Sequence, residues 1–250
     1  MESFHFNLFV GNSLEFDWKI INVVNDNGGF DIIVGNPPYV GSSKIDKESK
    51  ALLKNWSVSK SGKADLYIPF FEIALENLNL TGILGFITVN TFYKSLNGRS
   101  IREYFSKNGY ELSIVDFAGE QLFKKRSTYT CICIVDKFAA SGIKYIKTES
   151  KKITCIKEDE YIRFHYNELN NYNGWYLINE QKNSDIIKIE NTGTPLGKLF
   201  EIRNGFATLK NNVYVFKPTN VDSKYFYLIR TLSSSKSRKE FVGKRSNRIR

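Results

Sequence analysis

Two adjacent prolines, Pro37 and Pro38, constrain this chain more than any other feature. Neither can donate a backbone hydrogen bond, so no strand runs through them. Directly ahead lies a short apolar run, Ile32-Ile33-Val34, which reads as a buried strand of an α/β sheet. That strand must stop at Gly35, and the group Asn36-Pro37-Pro38-Tyr39 is then held at its carboxyl end. Ligands of open α/β sheets bind at that end.

The group has a definite chemistry. Asn36 offers a side-chain carbonyl, and Pro37 offers a backbone carbonyl with no N–H of its own. Two acceptors converging on one amino group hold both its hydrogens and draw the nitrogen lone pair out of conjugation. Tyr39 supplies a flat face for a planar base or amide. The stretch therefore suits activation of a conjugated NH2 group. A plain Pro-Pro turn closing a strand is the structural alternative.

The rest of the chain supplies an α/β frame around this strand. Residues 6–10 read as a strand, followed by Gly11-Asn12-Ser13 as a turn and helix N-cap. Residues 18–24 form a short helix or irregular segment. Residues 41–64, rich in Ser, Lys and Gly, read as a long mobile loop with one helical turn around Lys50 to Trp56. Such a loop beside a strand end either closes over substrate or is a surface insertion. Ile68, Phe71, Leu75 and Leu78 recur at helical spacing and predict a helix over 65–78. Ile83 to Val89 is a second continuous apolar strand, and Asn90 to Ser95 lies at its carboxyl end, with Thr91, Phe92 and Tyr93 as substrate contacts or packing. A helix over 99–107 and strands over 111–117 and 128–137 follow. Continuous apolar strands separated by helices predict a parallel sheet covered on both faces. Cys131 and Cys133 share one face of a strand and read as buried thiols. With Cys155, His5 and His165 they make no metal-ligand pattern, and no metal is expected.

Charge is unevenly distributed. Residues 191–250 hold 13 Lys/Arg and 3 Asp/Glu, which accounts for the net charge of +10 of the whole 250-residue chain. The excess at one end predicts a polyanionic partner there, or a solvated tail. No run of about 18 apolar residues occurs, and the N-terminus lacks a secretory signal pattern, so neither a membrane span nor export is expected.

The string Asn36-Pro37-Pro38-Tyr39 resembles the catalytic motif of the amino-methylating DNA methyltransferases, which modify the exocyclic amino group of adenine. Residues 65–90, DLYIPFFEIALENLNLTGILGFITVN, resemble the helix and strand that follow the motif in the Taq-type branch. Residues 120–136, EQLFKKRSTYTCICIVD, resemble that branch's later motif, in which a phenylalanine precedes a β-hairpin. The resemblance covers roughly residues 6–137 and, more weakly, 195–216.

The resemblance implies a fold, a donor and a set of roles. The fold class is α/β: a partial Rossmann-like methyltransferase sheet, mostly parallel with an antiparallel hairpin, followed by the start of a mixed α/β DNA-recognition domain. Its divisions are 1–140 for the catalytic region, 141–190 for a connecting segment with one or two β-hairpin pieces, and 191–250 for the basic beginning of target recognition. The donor is S-adenosylmethionine, and the partner is double-stranded DNA. Asn36, Pro37, Pro38 and Tyr39 are the catalytic residues, with Tyr39 and Phe123 stacking an extruded base; a core phenylalanine is the alternative for Phe123. Asn12 stands where the family carries an acidic contact to the donor's adenine. Lys124, Lys125, Arg126 and Arg203 are candidate DNA contacts.

The family's Gly-rich donor loop has no counterpart ahead of Phe6. The chain therefore reads as a fragment lacking the donor-binding half, whose sheet would expose an edge or an apolar surface, so a second polypeptide, self-association or poor stability is expected, in a bacterial cytoplasm. Two other functions stay open. One is methylation of a protein glutamine amide by the same motif. The other is a DNA-binding remnant without catalysis.

Overall fold

The computed structural model describes residues 7–123, 129–138, 141–178, 184–185, 188–189 and 191–201. It divides into two units, Met1–Ile189 and Glu190–Arg250. Within the described residues of the second, Pro195 leads into a single helical turn, Leu196–Leu199.

The first unit is built on a mixed six-stranded sheet of order β1-β2-β4-β3-β5-β6. Its strands are β1 (Phe30–Gly35), β2 (Leu78–Val89), β3 (Glu111–Asp116), β4 (Thr130–Asp136), β5 (Gly142–Lys147) and β6 (Ile162–Phe164). β1, β2, β3 and β5 run in one direction, and β4 and β6 run against them. β4 lies between β2 and β3 and is antiparallel to both, so the expected antiparallel hairpin is present.

Helices α1 (Asn22–Asp26), α2 (Lys47–Leu52), α3 (Ile68–Asn77) and α4 (Arg99–Asn108) complete the frame. α3 carries the chain from β1 back to the parallel β2. Its apolar side packs Ile68, Phe71, Ala74 and Leu75 into the main core. The Phe71 ring meets Phe86, Phe92 and Phe105 at 5.3, 5.8 and 5.5 Å between centroids. α4 ends at Gly109, whose φ of 66° is the left-handed conformation glycine adopts without strain.

Only one face of the sheet is fully covered. Leu84, Leu112, Ile114, Cys131, Cys133 and Val135 are buried beneath α3 and α4. On the opposite face Ile32 is 64% and Val34 76% exposed, and Ile83 and Ile134 are exposed as well. These residues adjoin across strands: Ile32 pairs with Ile83, and Gly85 lies between Val34 and Ile134. The expectation of a sheet covered on both faces is corrected here for β1, where Ile32 and Val34 stand exposed. The consequence is measurable. Val34→Lys should change unfolding free energy by less than about 0.5 kcal/mol, whereas Leu84→Ala should cost about 2–5 kcal/mol. Urea unfolding of the two variants checks the contrast.

Three segments differ from expectation. Residues 7–10 pair with no strand, and Leu8 and Val10 stand exposed. Residues 41–64 are folded rather than irregular. Asp46 caps α2 by accepting from the Ser49 N–H at 2.8 Å. Ile45 and Leu53 pack with Leu14 and Ile73, and Val58 enters the main core. Their apolar residues are few, with only Leu52, Leu53 and Trp56 grouped at helical spacing, which hid the packing. Residues beyond 141, read as a connector, supply β5 and β6 to the same sheet and the fully buried Trp175 to its core.

Buried tyrosines give this unit an alkaline limit. Burial raises the hydroxyls of Tyr67, Tyr93, Tyr104, Tyr145 and Tyr166 well above their ordinary value. Each folded-state value is raised, so the stabilisation is complete below the unfolded value of about 10 and is lost as pH rises further. Unfolding free energy should therefore hold up to about pH 9 and fall steadily above about pH 10. Denaturant titrations across that range, with tyrosinate absorbance, check it.

Candidate active site

Gly35 ends β1 opposite Phe86 of β2, and the chain then leaves the sheet. Asn36 is exposed, Pro37 is buried, and Tyr39 is half-buried. Neither the Asn36 amide nor the Pro37 carbonyl has a hydrogen-bond partner among the described residues. Beyond them the chain is tied down. The Val40 N–H donates to the Pro38 carbonyl at 2.9 Å, and the Leu66 N–H to the Val40 carbonyl at 2.9 Å. The Ser42 N–H donates to Asp65 Oδ1 at 3.0 Å. The motif is thus tied to the residues leading into α3, while its two acceptors make no hydrogen bond among the described residues.

Tyr39 is held from the other side. Its hydroxyl donates to the Ile87 carbonyl of β2 at 3.0 Å. Burial, with a smaller contribution from the thiols of Cys131 and Cys133, pushes that hydroxyl up to about 12, so it is a neutral donor at physiological pH. Tyr39→Phe should keep the ring in place and cost about 1 kcal/mol through the lost hydrogen bond. Thermal unfolding compared with Tyr39→Ala checks this.

Phe123 comes to the same place. Its ring centroid lies 6.2 Å from that of Tyr39, with the planes at 66°. Two residues 84 positions apart in the chain therefore form an aromatic corner, one ring of it three residues beyond Asn36 in sequence. The loop before Phe123 is pinned along its length. The Ala118 N–H donates to Asp116 Oδ1 at 2.9 Å. Glu120 accepts from the Ser150 N–H at 2.9 Å and from its hydroxyl at 2.6 Å, bonds that hold its carboxyl below the usual range. Leu122 packs on Val115, Phe117 and Ile146.

Asp116 is the buried polar centre of this region. Besides Ala118, it accepts from Asn90 Nδ2 at 3.1 Å, from the Tyr93 hydroxyl at 2.6 Å and from the Tyr145 hydroxyl at 2.9 Å. It therefore joins the carboxyl end of β2, the end of β3, β5 and the loop bearing Phe123. Arg102, on α4, has a similar bridging role. It donates to the carbonyls of Phe92, Ser95 and Asn171 at 2.6, 2.9 and 3.0 Å and shapes the segment after β2. Neither residue stands out in the sequence, although Asp116 at a strand's carboxyl end was a usable signal. Phe92 and Tyr93 are fully buried, so of their two expected fates the structure shows packing.

The remaining candidates are placed as follows. Asn12 Oδ1 accepts from the Leu14 N–H at 3.1 Å, so its side chain caps its own turn. Lys124, Lys125, Arg126 and Arg203 lie outside the described residues. Cys131 and Cys133 are buried, unbridged thiols, their sulfurs 3.7 Å apart.

The mixed sheet thus presents Asn36-Pro37-Pro38-Tyr39 at a strand end, with the Tyr39 and Phe123 rings in contact. Residues 5–123 match the family model described as Eco57I restriction-modification methylase. This region is thus similar to that family over 119 of the chain's 250 residues. The chain is 27% identical over 209 residues to the type II restriction enzyme and methyltransferase RM.Eco57I of Escherichia coli, covering 80% of this chain and 21% of that protein. It is also 27% identical over 216 residues to the type II methyltransferase M.BstVI of Geobacillus stearothermophilus, covering 77% and 38%. The chain thus spans about a fifth of the first relative and under two fifths of the second. In fold it resembles the type IIG restriction endonuclease BpuSI, with a TM-score of 0.51 at 17% identity over 72% of this chain and 24% of that one. The DrdV–DNA complex gives 0.50 at 16% identity over 68% and 21%. No helix among the described residues is long and apolar enough to cross a membrane.

Proposed function

We propose that this domain takes part in transferring a methyl group from S-adenosylmethionine to the exocyclic amino group of adenine in double-stranded DNA, within a bacterial, cytoplasmic restriction-modification system. The observation that carries this reading is the meeting of Tyr39 and Phe123 beside the unengaged acceptors of Asn36 and Pro37. A base inside a duplex cannot reach such a corner, so the target adenine is extruded, at a cost of a few kcal/mol. Tyr39 and Phe123 receive its ring. The two amino hydrogens are donated to Asn36 Oδ1 and the Pro37 carbonyl.

Those bonds turn the nitrogen lone pair away from the ring and make it nucleophilic. S-adenosylmethionine supplies an electrophilic methyl group on a sulfonium. With that donor bound, the methyl group would pass from sulfur to nitrogen, leaving a neutral thioether and a positively charged amino nitrogen. Asn36 and Pro37 stabilise that charge through bonds already in place. One N–H proton is then lost to solvent. The Cys131 and Cys133 thiols are buried, and burial raises the Cys131 thiol, so no cysteine nucleophile enters this reading.

Two further elements belong to this proposal. A further polypeptide covers the exposed face of β1 and helps to hold the donor; the apolar strip of Ile32, Val34 and Ile134 supports this. The basic residues 191–250 open a target-recognition domain that holds DNA. Radiolabelled S-adenosylmethionine offered together with duplex DNA and a glutamine-containing protein tests the substrate. Label entering adenine supports the reading, and label entering glutamine amides instead would overturn it.

A further inference from the structure

The folded segment after the motif encloses a cavity of about 490 Å3. Lys50, Lys54, Lys60 and Lys63 line it together with Ser42 and Ser59, over an apolar floor, and no carboxylate does. The four ammonium groups meet no carboxylate in an ion pair among the described residues. The nearby acids are engaged with backbone: Asp46 holds the Ser49 N–H and Asp65 the Ser42 N–H. The Ser59 hydroxyl oxygen is buried and has no hydrogen-bond partner. Four cations without a carboxylate partner around one concavity call for an anion with several acceptor oxygens.

We propose that this cavity is a phosphate site holding the DNA backbone beside the extruded nucleotide. Its position argues for backbone rather than a free anion. Ser42 lies three residues beyond Tyr39, and the Ser42–Asp65 bond fixes the cavity's rim to the base-holding motif. A base seated on Tyr39 brings its own strand to this rim. The site rests on the DNA reading given above, but not on methyl transfer itself.

The test is the salt dependence of binding to a fluorescein-labelled duplex, followed by anisotropy. Each lysine that neutralises a phosphate contributes about −0.9 to the slope of log K against log salt. Lys54→Gln/Lys60→Gln should therefore flatten the slope by roughly two, and Lys60→Gln alone by roughly one. Lys107→Gln, on an exposed residue near the amino end of β3, should leave it unchanged. All three sites are exposed, so circular dichroism and melting should match the unaltered chain.

An unchanged slope in the double variant overturns the proposal, as does absence of salt-dependent duplex binding by the unaltered chain. A double variant that loses inorganic phosphate binding in calorimetry, with its duplex slope intact, overturns the assignment to DNA. Normal methyl transfer with an unchanged slope defeats the cavity alone. A flattened slope without any methyl transfer by the unaltered chain supports the cavity and defeats the catalytic reading instead.

Discussion

Asn36→Ala should slow methyl transfer by about 10²–10³-fold while leaving the fold and DNA affinity close to those of the unaltered chain. Asn36 is exposed and bonds to nothing else in the described structure, so its removal should shift unfolding free energy by less than about 0.5 kcal/mol. The catalytic loss has a different origin. One of two acceptors that stabilise the developing positive nitrogen disappears, and with it the force that turns the lone pair out of the ring. Removing one such preorganised partner typically costs about 10²–10³ in rate. Asn36→Asp keeps acceptor oxygens in place and should retain some of the activity. Initial rates of label transfer, measured beside urea unfolding and duplex binding, separate these outcomes. A rate for Asn36→Ala within a factor of a few of normal would remove Asn36 from the mechanism.

Asp116→Ala should be the most destabilising single change around the site. It strands the hydroxyls of Tyr93 and Tyr145, the Asn90 amide and the Ala118 N–H in a buried setting. Each unsatisfied buried group costs about 1–3 kcal/mol, so even with relaxation the total should be about 4 kcal/mol or more. Asp116→Asn keeps the shape and one acceptor oxygen, and turns an NH2 toward groups that also donate. It should fall between the two. Urea unfolding gives the values, and an Asp116→Ala loss under about 1 kcal/mol would mean these bonds contribute little net stability.

The double proline made the key region of the fold legible. Pro37 and Pro38 forced the end of β1, and helical spacing placed α3 and α4 within a few residues. The antiparallel position of β4 was also legible, through the resemblance of residues 120–136. Tyr39 and Phe123 were paired from the same source, and the structure brings their rings together. Elsewhere, sequence and structure diverge for physical reasons. Continuous apolar strands predict two covered faces, but Ile32 and Val34 alternate outward from a single covered face. Residues 41–64 and those beyond 141 bury isolated side chains such as Val58 and Trp175, which no periodicity reveals. Asp116 gathers partners from β2, β3 and β5 that only the three-dimensional sheet brings together. The lysines around the cavity are spread over α2 and the turns after it, and their convergence depends on a segment that looked irregular.

Nucleoside mass spectrometry of duplex DNA exposed to this chain and S-adenosylmethionine, run in parallel with Asn36→Ala, tests the central claim most directly. The arrangement of Asn36, Pro37, Tyr39 and Phe123 predicts N6-methyldeoxyadenosine from the unaltered chain and about 100-fold less or lower from the variant in equal time. Methylcytosine as the product, or equal adenine methylation by Asn36→Ala, would contradict it.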